Sequence, residues 1–150
     1  MTNRTLAQSY LEKCKKRLKV LEVLLAEEAY SDVVREAQEV VELALKGLLR
    51  QIGVEPPKQH DVGGLVVEFK DRLPPVAARR AEKLASISKW LRKEREFAFY
   101  GDVDFIPTEE YTRRDAERAY RDARLVVETA EKVIAPADQS KVPLTGKNSK

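Results

Sequence analysis

Residues 95–102 read REFAFYGD, so Arg95 precedes Tyr100 by five positions, and Gly101 and Asp102 follow directly. An arginine presents a rigid fork of donors that matches phosphate oxygens, and a tyrosine presents a hydroxyl and a ring on which a base can stack. Five residues are about one and a half helical turns, so both side chains approach one face if the helix persists to Tyr100. Arg92 stands one turn before Arg95 and adds a second cation. Together Arg92, Arg95, Tyr100, Gly101 and Asp102 form a candidate nucleotide-phosphate site. The plainer alternative is an exposed arginine, a core tyrosine and a glycine that closes a helix.

Other residues with chemical potential are more isolated. Asp102 and Asp104, with Glu109 and Glu110 nearby, are carboxylates of the kind that hold magnesium, although acids before a helix more often cap it or face solvent. His60 is the single histidine of the chain. It lacks the clustered ligands of a metal site and reads as a residue at a helix entrance. Cys14, the single cysteine, lies among Lys13, Lys15 and Lys16. Neighbouring cations lower a thiol pKa, but with no adjacent histidine the simpler reading is an inert, half-buried helix residue. DVGGL has neither the spacing nor the lysine of a P-loop, and there is no dinucleotide fingerprint, HExxH pair, zinc-type Cys and His set or nucleophile elbow. Enzymes of those classes are set aside, and no cofactor is expected.

The totals bound what can position these residues. A chain of 150 residues, 43% hydrophobic and 35% charged, suits one core and one domain. The formal charge is only +3, with both signs interspersed, so net charge gives little reason to infer nucleic-acid binding. A surface dense in Glu, Lys and Arg, with few Asn, one Cys and one Met, resembles thermophile composition. No apolar run approaches a membrane span, and the first ten residues lack the apolar region of a signal peptide, so a cytoplasmic protein is expected.

Helical periodicity dominates the chain. Leu6, Tyr10, Cys14, Leu18, Leu21 and Leu25 recur at spacings of three and four and predict a long first helix, with its lysines and arginine on a solvated face. The second should start at Ser31 as N-cap and close at Gly53. Its stripe of Val33, Ala37, Val40, Val41, Ala44, Leu48 and Ile52 predicts a central helix, with Glu42 and Lys46 paired along its flank. Pro56 and Pro57 break the pattern, and a third helix is expected from Asp61 to about Leu73. After Pro74 and Pro75 the fourth carries Leu84, Ile87, Trp90 and Leu91 on one edge. Arg79, Arg80, Lys83, Lys89, Arg92, Lys93 and Arg95 make it basic, so a polyanion would be felt most strongly there. Thr108 is expected to cap the last helix, whose stripe is Ala116, Ala119, Tyr120, Ala123, Val127, Ala130 and Ile134 and which ends at Pro136. Nothing alternates as a strand would. The predicted fold is an all-α, up-and-down bundle of about five helices over residues 1–135, with a disordered tail over 136–150.

Four segments in this order, YSDVVREAQEVVELALKGLLRQIG, KQHDVGGLV, LRKEREFAFYGD and the acid-tipped PTEEYTRRDAERAYRDARLVVETAEKVI, resemble the HEPN family, a domain of prokaryotes and higher eukaryotes linked to nucleotide binding. The resemblance covers Leu6 to Ile134. It implies a helical bundle, a homodimer with a cleft between facing helices, and often a minimal nucleotidyltransferase as partner. In many members an Arg and, after a gap of four to six residues, a His form a metal-independent ribonuclease site across that dimer. There His acts as general base or acid and Arg stabilises phosphorane charge. Arg95 matches that arginine, but Tyr100 stands at the histidine position. A phenol with a pKa near ~10 is a poor base at neutral pH, though it can donate a proton or a hydrogen bond. The resemblance therefore implies a nucleotide- or RNA-phosphate-binding partner subunit ahead of a ribonuclease toxin held in check by the nucleotidyltransferase. A ligand-free assembly protein is the third expectation. An exposed Tyr100 hydroxyl would also be a chemically suitable acceptor for such a transferase.

Overall fold

In the computed structural model, residues 2–56, 58, 61–99 and 111–134 are described, the side chains of residues 3 and 95–99 excepted. These residues fold as α1 (Asn3–Ala26), α2 (Tyr30–Gln51), α3 (Val62–Glu68), a 3-10 turn (Lys70–Arg72), α4 (Pro75–Ala78), α5 (Ala81–Phe99) and α6 (Arg113–Val133). The all-α bundle is as predicted. No strand occurs among the described residues, and none of their helices is long and apolar enough to cross a membrane. The expected tail, residues 136–150, lies outside them.

Helix α2 is the hub. It packs on α1, α3, α5 and α6, and Val33, Val34, Ala37, Val40, Val41, Ala44, Leu45, Leu48 and Leu49 are all at most 1% exposed. A helix buried on most of its circumference must be apolar through more than one stripe, which Val34, Leu45 and Leu49 add to the predicted set. Ala116, Ala119, Ala123 and Ala130 of α6 are fully buried, so small side chains allow that helix close to α2. Glu42 and Lys46 make the predicted pair at 3.4 Å.

The left-handed residue after α2 is Gly53 (φ +82°), as expected, and the Val54 N–H reaches back to the Leu49 carbonyl at 2.8 Å. Four other helix boundaries differ from expectation. Ser31 is not the cap of α2: the helix starts at Tyr30, Ser31 is buried in its first turn, and the turn from α1 is made by Glu28 at φ +62°. The Ala29 N–H bonds Leu24 O there at 2.9 Å, a closure that normally uses glycine or asparagine and so leaves no signal in Glu-Glu-Ala. The third helix stops at Glu68 and tightens into the 3-10 turn. The fourth is interrupted at Arg79–Arg80. This break lets α4 pack on α6 while α5 runs along α2 and α3. The last helix begins at Arg113, capped by Thr112; the expected cap, Thr108, lies outside the described residues. Thr112 and Asp115 form a reciprocal capping box, with Asp115 N–H to Thr112 Oγ1 at 3.2 Å and Thr112 N–H to Asp115 Oδ2 at 3.0 Å.

Candidate functional site

Arg92 and Arg95 both belong to α5, three residues apart and hence near neighbours on its surface. The Arg95 side chain lies outside the described residues, as do Tyr100, Gly101, Asp102, Asp104, Thr108, Glu109, Glu110 and His60. The structure thus places the backbone of Arg95 and the whole of Arg92. Among the described residues no group of His, Cys, Asp and Glu is arranged to hold a metal ion.

The outward face before Arg95 is basic. Lys89, Arg92 and Lys93 are exposed at spacings of three and four, so their charges share one ridge. Leu84, Ile87 and Leu91 are buried on the opposite edge and fix the rotation of the helix. Not every cation predicted for this helix belongs to that ridge. Arg80 turns to α6, donating to the buried hydroxyl of Thr129 at 2.9 Å, and that hydroxyl in turn donates to Leu125 O at 2.8 Å. Trp90 is half-buried beneath the guanidinium of Arg118, whose Cζ lies 3.9 Å from the ring centroid, and so ties α5 to α6.

Two contacts hold the end of α5 from either side. From α3, Asp61 Oδ1 accepts from Arg92 Nη1 at 3.2 Å and from the Gly63 N–H at 3.1 Å, so one carboxylate caps α3 and orients Arg92. Both ion-pair partners are substantially exposed, and the pair is worth little as stability. The cap matters more. Asp61→Ala is expected to lower stability by about 1 kcal/mol through the lost cap. Asp61→Asn, which keeps an acceptor but drops the charge facing Arg92, should stay within about 0.5 kcal/mol of wild type in urea unfolding.

From the other side, the Tyr111 hydroxyl lies 2.9 Å from the Glu94 carbonyl and 3.0 Å from its Oε1, donating to Glu94 at the residue before Arg95. Tyr111 is buried, and it immediately precedes the Thr112 cap, so the start of α6 is pinned to α5. Burial, reinforced by the bond to the Glu94 carboxylate, raises the Tyr111 pKa well above that of an ordinary phenol. A raised folded-state pKa means the contribution is complete below the unfolded value, near ~10, and is lost as pH climbs through the folded one. Tyr111→Phe should lose about 1 kcal/mol at pH 7 and show a shallower fall in stability above pH ~10 than wild type, measured by denaturation across pH.

Cys14 is fully buried, its Sγ directed at Val40 O at 3.5 Å, and burial pushes the thiol up to about 12 against the smaller opposing pull of Arg17. It is an inert core residue, the simpler of the two expectations.

Sequence reasoning singled out Arg92 and Arg95 but missed their supports. Asp61 was legible only as a helix start, because its partner Arg92 is distant in sequence. Tyr111 had one local signal, the Thr-x-x-Asp box directly after it.

Comparison with known proteins agrees with the helical bundle. The model of the HEPN domain matches residues 7–133, which span α1 to the end of α6 and include Arg92 and Arg95. The chain is 28% identical over 129 residues to the Methanocaldococcus jannaschii protein named "Putative toxin MJ1304", covering 81% of this chain and 84% of that one. No solved structure matches at a comparable level of significance. With a family match across nearly its whole helical part, the chain belongs to the HEPN domain family.

Proposed function

We propose that this HEPN protein is a dimeric phosphate-binding subunit that partners a separate minimal nucleotidyltransferase, holding nucleotide or RNA phosphate near Arg92, Arg95, Tyr100, Gly101 and Asp102. The observation that carries the reading is the set of exposed cations on α5 in the turns before Arg95, namely Lys89, Arg92 and Lys93, with Asp61 bracing Arg92 and Tyr111 bracing the helix at Glu94. A phosphate binder needs cations held in a fixed direction on a rigid element; these contacts orient Arg92 and steady the helix that carries Arg95. Tyr100 in place of the expected histidine fits binding better than acid–base catalysis. Titration of a labelled single-stranded RNA or a nucleoside triphosphate, followed by fluorescence anisotropy, tests it. Wild type should bind and Arg95→Ala should bind much more weakly; equal binding by both would remove Arg95 from the site. Intact mass after co-expression with a nucleotidyltransferase would show whether Tyr100 accepts a nucleotidyl group.

A second reading, a metal-independent ribonuclease toxin, is favoured by the toxin name of the archaeal relative. It requires growth arrest on expression of the wild type and relief by Arg95→Ala.

A further inference from the structure

Three contacts set the register between α5 and α6: Tyr111 with Glu94, Arg118 with Trp90, and Thr129 with Arg80, the residue before α5. The numbers rise along one helix as they fall along the other, so the two are antiparallel, with Trp90 and Arg118 midway along their groove. Lys93 follows Trp90 by three residues and Arg114 precedes Arg118 by four, which puts both beside the pair on one side. Lys83, two turns before Trp90, and Arg121, three residues after Arg118, stand on the other side. All four cations are exposed and make no ion pair among the described residues. The carboxylates along the groove are already engaged, Asp122 with Arg118, Glu94 with Tyr111 and Asp115 with the Thr112 cap. The charge left unmatched there is therefore positive.

At the centre of these cations is a plane. Arg118 Cζ lies 3.9 Å from the centroid of the Trp90 ring, a stacking distance, and Arg118 Nε lies 3.7 Å from Asp122 Oδ2, so the guanidinium is held from beneath and from the side. The Arg118 side chain is 54% exposed, which leaves the outer side of the plane open. Nucleobases stack on guanidinium planes as they do on aromatic rings. A base seated there would bring the phosphates before and after it towards Lys93 and Arg114 on one side and Lys83 and Arg121 on the other. A duplex keeps its base faces inside its own stack, so the ligand that matches this surface is a single strand.

We propose that the Trp90–Arg118 pair is a stacking subsite for one base of single-stranded RNA, with Lys83, Lys93, Arg114 and Arg121 attracting the flanking phosphates. The proposal rests on the preceding reading for the choice of RNA and deepens it, because the ligand becomes a strand of several nucleotides and not a mononucleotide. The backbone of Arg95 lies five residues, about 7.5 Å, further along α5. Lys89, Arg92 and Lys93 are exposed on the same stretch of helix, so a strand running from Arg95 to Trp90 stays beside cations.

Trp90 is the single tryptophan of the chain, so its emission reports on the subsite directly. A single-stranded RNA of about ten nucleotides is titrated against the full chain, with Trp90 fluorescence and the anisotropy of an end-labelled copy of the RNA read in parallel. Wild type should bind, and Trp90 emission should change over the same concentrations. Arg118→Ala and Arg118→Lys should each weaken binding about tenfold, the lysine variant included because it keeps the charge and loses the plane. A duplex of the same sequence should compete poorly. Wild-type affinity in Arg118→Lys, equal competition by the duplex, or RNA binding that leaves Trp90 emission unchanged would overturn the subsite, and a loss of affinity in Arg95→Ala would then still support the reading at Arg95. Binding weakened at Arg118 but not in Arg95→Ala would uphold the subsite and overturn that reading. No binding by wild type would overturn both. Arg118 is exposed, and unchanged helical circular dichroism would confirm that its variants fold.

Discussion

Gly63→Ala is expected to destabilise the protein by about 2 kcal/mol, lowering Tm by roughly 4–8 °C, against the usual stabilising sign for replacing a helical glycine. A Cβ on Gly63 would stand 2.9 Å from the Ala85 Cα and 3.3 Å from the Cβ atoms of Ala85 and Ser88. The first of these is backbone of α5, which cannot swing aside as a side chain does, so α3 has to lift away from α5. Asp61 would then be drawn off Arg92, and the substitution should weaken phosphate binding as well as stability. The neighbouring Gly64→Ala is the control. The three atoms nearest its Cβ all belong to the flexible Asp61 side chain, Oδ2 at 3.2 Å, so the ordinary helical gain of up to ~1 kcal/mol should be largely kept. Thermal melts of the two variants side by side would expose an error, most clearly if Gly63→Ala melted at or above wild type.

The second large effect is on binding. Arg95→Ala should weaken RNA or nucleotide affinity by about ten- to a hundredfold, the range for a hydrogen bond to a charged group. Helix α5 is held by Leu84, Ile87 and Leu91 in the core, so the loss should come without a comparable fall in Tm. Lys89→Ala or Lys93→Ala, exposed in the preceding turns of the same helix, should weaken binding by less and reduce its salt dependence, as expected of cations that act through general attraction to phosphates. A uniform, small effect of all three would indicate a diffuse basic surface and no site centred on Arg95.

How much was legible beforehand divides between local and tertiary causes. The stripes of α2 and α6, the glycine stop at Gly53 and the Glu42–Lys46 pair depend on residues within a few turns, and periodicity exposes them. The turn at Glu28 was hidden because its left-handed residue is neither glycine nor asparagine, so Ser31 looked like the first available cap. Thr108 and Thr112 are both threonines near acids. Only the spacing to Asp115 distinguishes the one that forms the capping box. The break between α4 and α5 carries no proline or glycine at Arg79–Arg80 and follows from what each piece packs against.

The site divides in the same way. Arg92 and Arg95 could be placed on one helix from their spacing, and the chemistry of a phosphate-binding fork followed from residue type. That Asp61 would orient Arg92, or that Tyr111 would pin α6 to Glu94, depends on helices meeting in space. The role of Gly63 is the clearest example, because DVGGL reads only as the start of a helix, and that its first glycine serves the close approach of α3 to α5 depends on where α5 lies.

The central claim is that Arg95 anchors a phosphate site from which the usual catalytic histidine is missing. RNA cleavage in buffer containing a metal chelator, comparing wild type, Arg95→Ala and Tyr100→His, tests it most directly. RNA binding without cleavage is expected of wild type, and cleavage is expected to be gained in Tyr100→His. Cleavage by wild type that Arg95→Ala abolishes would contradict it, and would make this chain a ribonuclease in which the tyrosine takes a catalytic part.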